Sequence, residues 1–261
     1  MARPDHAPER GMPCWLDLAS PDVEASKAFY TRLFGWGYDV SSPQYGPYHT
    51  ALVDGRSAAG LFQVGEEERS EVQMTWRVFL CADDTAAMVR SANDLGGSTI
   101  TSPREVPRQG YYAVLQDPAG AVFGLWEPIG HNGFGVTHEP GAFGWAEVNV
   151  PDADAARTFY TGLTGASARK LDADALPTRY DVVSIGDQDA FGLLQMTKEW
   201  EGVPPHWMPY IEVENCDAVA TEAKAAGGKA PVPPFDTPYG RIAVLNDPFS
   251  AVFSINQTNR S

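Results

Sequence analysis

The sequence predicts an α+β protein in which one fold unit of about 130 residues is written twice, each copy built from two strand–helix–three-strand motifs. Three observations predict this. A long internal repeat keeps its register across both halves. The helix and strand signals follow the same order in each half. A segment rich in Gly, Pro and His (129–141) separates the copies as a linker would.

The repeat is read directly from the residues. Trp15-Leu16-Asp17-Leu18 returns as Trp145-Ala146-Glu147-Val148, and Ala28-Phe29-Tyr30-Thr31 as Thr158-Phe159-Tyr160-Thr161. Gly110 to Pro118 returns as Gly240 to Pro248, and Ala121-Val122-Phe123 as Ala251-Val252-Phe253. At slightly longer offsets Trp76 pairs with Trp207 and Gly60-Leu61 with Gly192-Leu193. The two domains are placed at 10–128 and 142–257.

Within each half, residues 13–18 and 143–150 read as short strands. A helix follows, opened by Ser20-Pro21-Asp22 or Pro151-Asp152, since proline just inside the start and an acidic first turn favour a helix N-terminus. Val23, Phe29, Tyr30 and Leu33 share one face, and the helix is expected to stop near Gly35 or Gly162. Strands are expected at 46–53, 57–63 and 74–81. A second helix runs from Asp84 to Leu95 and ends at Gly96-Gly97; its counterpart runs from Asp217 to Ala226 and ends at Gly227-Gly228. Two more strands flank the turns at Asp117-Pro118 and Asp247-Pro248.

The chain has 261 residues, 43% of them hydrophobic, enough for two cores. Its net charge of -15 speaks against nucleic acid and anionic membranes as partners, because little would neutralise phosphates. An acidic surface also serves solubility and tolerates a cationic ligand. Cys14, Cys81 and Cys216 are widely spaced with no CxxC, which fits a reducing compartment and no zinc knuckle. MARPDHAPER lacks the apolar core of a signal peptide, and no apolar run is long enough to span a bilayer. A cytoplasmic protein is expected.

The segments DVEASKAFYTRLFGW (22–36), DADAARTFYTGLTG (152–165), DPAGAVFGLW (117–126) and DPFSAVFSIN (247–256), in this order, resemble the vicinal-oxygen-chelate superfamily of glyoxalases, bleomycin-resistance proteins and extradiol dioxygenases. The layout is also similar to two-domain actinobacterial members labelled hydroxylases or antigens. The resemblance covers nearly the whole chain and implies that each domain folds its motifs into a half-open eight-stranded barrel. It does not assign a function, because the superfamily hosts lyases, isomerases, dioxygenases and metal-free drug binders.

Metal-using relatives place ligands on inward positions of the first, fourth, fifth and eighth strands. Carried onto this chain, those positions fall on Trp15 and Trp145, on Phe62 or Gln63 and Leu194 or Gln195, on Trp76 and Trp207, and on Gly124 and Ser254. An indole nitrogen only donates, and glycine has no side chain, whereas a divalent ion needs three or four N, O or S donors. The expectation is no metal and no cofactor.

The remaining candidates are aromatic and acidic. Trp126 lies two residues past Gly124, hence on the same strand face, and Asn256 takes its place in the second domain. Together with Trp15, Trp76 and Gly124 it is expected to wall a cavity; buried indoles are as often plain core. Asp17 and Glu147 follow the first-strand indoles by two residues and should face the same interior. An inward acid serves as scaffold, ligand contact or acid–base group. Lone His49 and His206 form no spaced cluster, and no nucleophile elbow, phosphate loop or dinucleotide fingerprint is present. The leading expectation is a metal-free small-molecule-binding protein with Trp-lined pockets, resembling bleomycin resistance by sequestration. Its ligand would be aromatic and, given the acidic surface, suitably cationic. The alternatives are a metal-free cyclase or isomerase using Asp17 or Glu147, a metal-dependent lyase or oxygenase with relocated ligands, and a protein-interaction role. Oligomeric state is left open.

Overall fold

Each half begins with a strand buried on both faces, which is why its residues are apolar without clear alternation. The computed structural model describes residues 7–40, 47–68, 74–171 and 178–259; residues 1–6 and 46, which the sequence reading touched, lie outside them. In the first half β1 (Pro13–Ser20) leads into α1 (Val23–Phe34), then β2 (Gly37–Val40), β3 (Tyr48–Val53) and β4 (Arg56–Gln63). The second motif is β5 (Trp76–Cys81), α2 (Thr85–Asp94), β6 (Ser98–Val106), β7 (Gly110–Gln116) and β8 (Val122–Pro128). The second half repeats it as β9 (Phe143–Val150), α3 (Ala153–Thr164), β10 (Ser167–Lys170), β11 (Tyr180–Ile185) and β12 (Gln188–Gln195). It closes with β13 (His206–Glu212), α4 (Cys216–Ala225), β14 (Lys229–Thr237), β15 (Gly240–Asn246) and β16 (Val252–Thr258).

The helices start where capping chemistry allows. Asp22, Asp84, Asp152 and Asn215 each sit in extended backbone and accept an amide of the first turn. Gly35 and Gly165 close α1 and α3 in the left-handed conformation. Gly162 is thus not the stop the sequence suggested. It lies inside α3, where a side chain would press on Leu95 at the end of α2.

Each domain is one open eight-stranded sheet. The strand orders, β2-β3-β4-β1-β5-β8-β7-β6 and β10-β11-β12-β9-β13-β16-β15-β14, are the same path twice, with β1 and β9 equivalent. The two motifs of a domain join where β1 runs antiparallel to β5 and β9 to β13. One sheet face carries the helices, and the other curves into a cup.

The helix-bearing faces of the two sheets meet in a seam with approximate twofold symmetry. α1 packs on α4, α2 on α3 and β13 on β5. Phe29 and Tyr30 of α1 meet Phe253 of β16, and Phe159 and Tyr160 of α3 meet Phe123 of β8. Each Asp-Pro turn is held from both sides. Asp117 Oδ1 accepts the amides of Ala119, Gly120 and Ala121, while its Oδ2 accepts the Tyr160 hydroxyl at 2.9 Å. Asp247 does the same with Phe249, Ala251 and, at 3.2 Å, Tyr30. The result is a single hydrophobic core across both domains. An N-terminal strap adds to it, for Arg10 pairs with Asp83 of the first domain and donates to the Leu163 carbonyl of the second at 2.9 Å.

Candidate functional site

The same constellation is built twice, once in each cup. On β1, Trp15 and Asp17 point together into the cup, and the Trp15 indole donates to the Tyr48 hydroxyl at 2.7 Å. On β9, Trp145 and Glu147 do likewise, with Trp145 donating to Tyr180 at 2.8 Å. Each tyrosine fits because the strand opposite has a glycine: a methyl group on Gly60 or Gly192 would collide with the hydroxyl of Tyr48 or Tyr180. Those glycines are the register partners of Asp17 and Glu147. An indole, a phenol and a carboxyl therefore converge in both domains.

In the first cup, Asp17 is only 7% exposed, and its Oδ1 has no hydrogen-bond partner. Burial pushes its carboxyl up from 3.8 to about 6, with the nearby Arg77 guanidinium pulling the other way. Arg77 is its cross-strand neighbour on β5. The linker then covers the aromatic side of this cup. The His131 ring stands edge-on to Trp15 at 4.5 Å, and its carbonyl accepts the Trp126 indole N–H at 2.7 Å. Phe134 packs on Trp15 as well.

The second cup is more polar. Burial raises Glu147 from 4.5 to about 7, although the hydroxyls of Tyr210 and Tyr180 and the amide of Asn149 oppose the shift. Asn149 is fully buried, lies 3.4 Å from His206 through its amide nitrogen, and leaves its Oδ1 without a partner. Trp200 stacks on His206 beside a cavity of about 480 Å³ lined by Pro151, Met196 and Pro205. Asn256 is spent elsewhere in the cup, donating to Glu212 and Thr258.

Several expected site residues are placed differently. Trp76 and Trp207 do not face the cups. They turn to the helix side and donate to Tyr30 and Tyr160 at 2.9 and 3.0 Å, extending the seam bonds to the Asp-Pro turns. A strand's side chains alternate, so a displacement of one residue puts Arg77 and Phe79, or Met208 and Tyr210, on the cup face instead. The expected wall of three indoles is thus reduced to Trp15 and Trp126, bridged by His131. Gly124 does face the cup, but it leaves no room, because the Phe79 ring lies against it. On the fourth strand Phe62, not Gln63, stands with Tyr48, while Gln63 caps α1 by accepting the Val23 amide at 2.9 Å. Leu194 sits across from Tyr180 in the same way. His49 belongs to the helix side, next to Lys27 and Glu24 of α1.

These corrections bear on metal binding. The family's four ligand positions now hold Trp15, Phe62, Phe79 and Gly124 in one cup and Trp145, Leu194, Tyr210 and Ser254 in the other. This donor set does not fit a divalent ion. Among the described residues no group of three or more His, Cys, Asp or Glu is gathered to hold one elsewhere. Nor, among the described residues, is any helix long and apolar enough to cross a membrane.

The residues missed by sequence reading are Tyr48, Tyr180, Tyr210, Arg77 and His131. One signal was present: Tyr48 and Tyr180 repeat in step with Gly60 and Gly192.

Comparison with known proteins agrees with the geometry. Residues 15–126 match the Glyoxalase-like domain family, and residues 142–255 match the Glyoxalase/Bleomycin resistance protein/Dioxygenase superfamily. The anthracycline biosynthesis protein DnrV of Streptomyces peucetius is 36% identical, over 94% of this chain and 92% of its own. The putative glyoxylase CFP32 of Mycobacterium bovis is 33% identical over 94% of each. The Mn(II)-bound glyoxalase of Novosphingobium aromaticivorans superposes with a TM-score of 0.63 at 16% identity, over 96% of this chain and 83% of its own, a likeness of fold alone. Taken with the doubled sheet, these matches make the chain a tandem two-domain member of the glyoxalase/bleomycin-resistance/dioxygenase (vicinal-oxygen-chelate) superfamily.

Proposed function

We propose that the chain is a metal-free small-molecule-binding protein that holds a flat aromatic ligand bearing a hydrogen-bond donor, with Asp17 of the first cup as the polar anchor. The observation that carries this is the unpartnered Oδ1 of Asp17, buried beside Trp15, Tyr48 and Arg77. A buried carboxylate oxygen without a partner costs free energy that a bound donor recovers. The Trp15 and Trp126 indoles now pack on the His131 ring between them, and an aromatic ligand that displaced His131 would take over those contacts. The kinship with DnrV and with DauV of Streptomyces sp. strain C5, both anthracycline biosynthesis proteins, makes an anthracycline the natural first probe.

The test is calorimetric titration of the protein with an anthracycline. A hydrogen bond to a charged group contributes about 1.5–3 kcal/mol, so Asp17→Asn is expected to weaken binding about 10- to 100-fold. Because Asp17 titrates near 6, the wild type should also bind a cation more weakly at pH 5 than at pH 7.5, and Asp17→Asn should lose that difference. Equal affinities for wild type and variant would sink the assignment.

The second cup favours a second reading, proton transfer. A carboxyl titrating near 7 between two phenols is matched to removing and returning a proton beside a carbonyl group at neutral pH. Here Glu147→Gln would abolish turnover of an enolisable substrate and leave its binding intact. Loss of binding along with turnover would make Glu147 scaffold.

A further inference from the structure

Two thiols that sequence spacing keeps far apart are brought together beneath the N-terminal strap. β1 and β5 pair irregularly between Pro13 and Trp15, which leaves Cys14 as an extra residue in the ladder. Directly alongside, the Cys81 amide donates to the Met12 carbonyl at 2.8 Å. The bulge and this bond set Cys14 and Cys81 on neighbouring paired strands, two residues apart in register. Each also has a carbonyl to itself: Cys14 Sγ meets the Phe79 carbonyl at 3.5 Å, and Cys81 Sγ donates to the Pro8 carbonyl at 3.0 Å.

The pair is asymmetric in a way that suits an ordered reaction. Cys14 is sealed in the core, and burial raises its thiol well above the ordinary range. Cys81 has little exposed surface but lines a cavity of about 270 Å³ formed with Pro8, Arg10, Asp83 and Glu127. Its Cys14 neighbour holds the Cys81 thiol below the ordinary range. A lowered pKa and a path to solvent mark the attacking thiol, and a neighbouring cysteine on the paired strand marks the resolving one. The third cysteine, Cys216, opens α4, and burial raises it to about 11.

We propose that Cys14 and Cys81 form a reversible intramolecular disulfide when the protein meets a small-molecule disulfide. The Cys81 thiolate attacks one sulfur of the oxidant, whose S–S bond breaks and releases one small thiol, which takes up the proton Cys81 had lost. Cys14 then gives up its proton and attacks Cys81 Sγ in the mixed disulfide, expelling the second small thiol. Two cysteines are oxidised, and one small disulfide is reduced to two thiols. The bridge removes the proton that Cys81 donates to Pro8, at the start of the strap that carries Arg10 across the seam. Oxidation is thereby coupled to the tie between domains.

The experiment uses the full-length protein and glutathione disulfide. After native incubation, thiols are counted in denaturant, intact mass is measured, and peptides are mapped. Wild type is expected to lose two of its three thiols and two hydrogens in mass, to yield a Cys14–Cys81 cross-linked peptide, and to recover fully with dithiothreitol. Cys14→Ser should stop at a glutathione adduct on Cys81, Cys81→Ser should keep its remaining thiols free, and Cys216→Ser should bridge like wild type. The proposal is overturned if wild type keeps all three thiols. A stable glutathione adduct that never resolves, or a bridge involving Cys216, overturns it equally. The wild-type measurement decides the matter even if a serine variant fails to fold.

Discussion

Tyr160→Phe deletes one oxygen from the seam and leaves the rest of the side chain in place. That hydroxyl accepts the Trp207 indole N–H at 3.0 Å and donates to Asp117 Oδ2 at 2.9 Å, with all three residues buried. Without it, an indole donor and a carboxylate oxygen lose their partners in a site that water does not reach. The neutral bond contributes about 1 kcal/mol and the bond to the carboxylate about 1.5–3, so a loss of roughly 2–4 kcal/mol is expected. The other Asp117 oxygen keeps its three amides, which holds the turn together and bounds the damage. In a chain of this size each kcal/mol corresponds to about 2–4 °C, so the melting temperature should fall by roughly 4–16 °C. Tyr30→Phe removes the equivalent oxygen between Trp76 and Asp247 and should cost a similar amount, somewhat less because its carboxylate bond is 3.2 Å. Urea unfolding followed by tryptophan fluorescence, with calorimetry for the melting temperature, measures both. A change below about 0.5 kcal/mol in either variant would refute the view that these relays hold the two domains together.

Two further outcomes are expected. Because Glu147 binds its proton with a folded value of about 7 against an ordinary 4.5, the folded state retains a proton that the unfolded chain releases between those values. Stability therefore falls as pH rises from 4.5 to 7, by on the order of 3 kcal/mol from this group, and Glu147→Gln should remove that slope and be the more stable protein at pH 8; parallel pH profiles of the urea midpoint would contradict this. Gly60→Ala and Gly192→Ala should each force a tyrosine hydroxyl off its indole, costing about 1–3 kcal/mol and changing the near-ultraviolet circular dichroism of the tryptophans; unchanged spectra would show that the close approach is unimportant.

What the sequence made legible follows from how strongly each element declares itself. The helix starts were readable because Asp22, Asp84 and Asp152 stand directly before apolar-periodic runs. The inward setting of Asp17 and Glu147 followed from their two-residue spacing from the indoles. The setting of Trp76 did not, because β5 is buried on both faces and its apolar pattern carries no sidedness. Strands β2, β6, β10 and β14 were given no range, since as sheet edges they are largely exposed, β2 and β10 are only four residues long, and prolines interrupt β6 and β14. The Trp–Tyr pairs were hidden for another reason. They depend on the absence of a side chain on a neighbouring strand, a property of space between strands rather than of either segment.

The reciprocal seam also sets what each half is free to become. Its tyrosine–carboxylate bonds span the two copies: the tyrosine of one reads the Asp-Pro turn of the other, and a tryptophan of the tyrosine's own copy braces it from behind. A change in one copy is therefore felt by its twin, and both copies have kept Phe-Tyr, Trp and Asp-Pro in place. The cup faces carry no such mutual obligation. There the twins have drifted apart, with Asp17 against Glu147, Arg77 against Met208, Phe79 against Tyr210, Gly124 against Ser254 and Trp126 against Asn256. The shared back is locked by partnership, while the two fronts are free to differ residue by residue within a single chain.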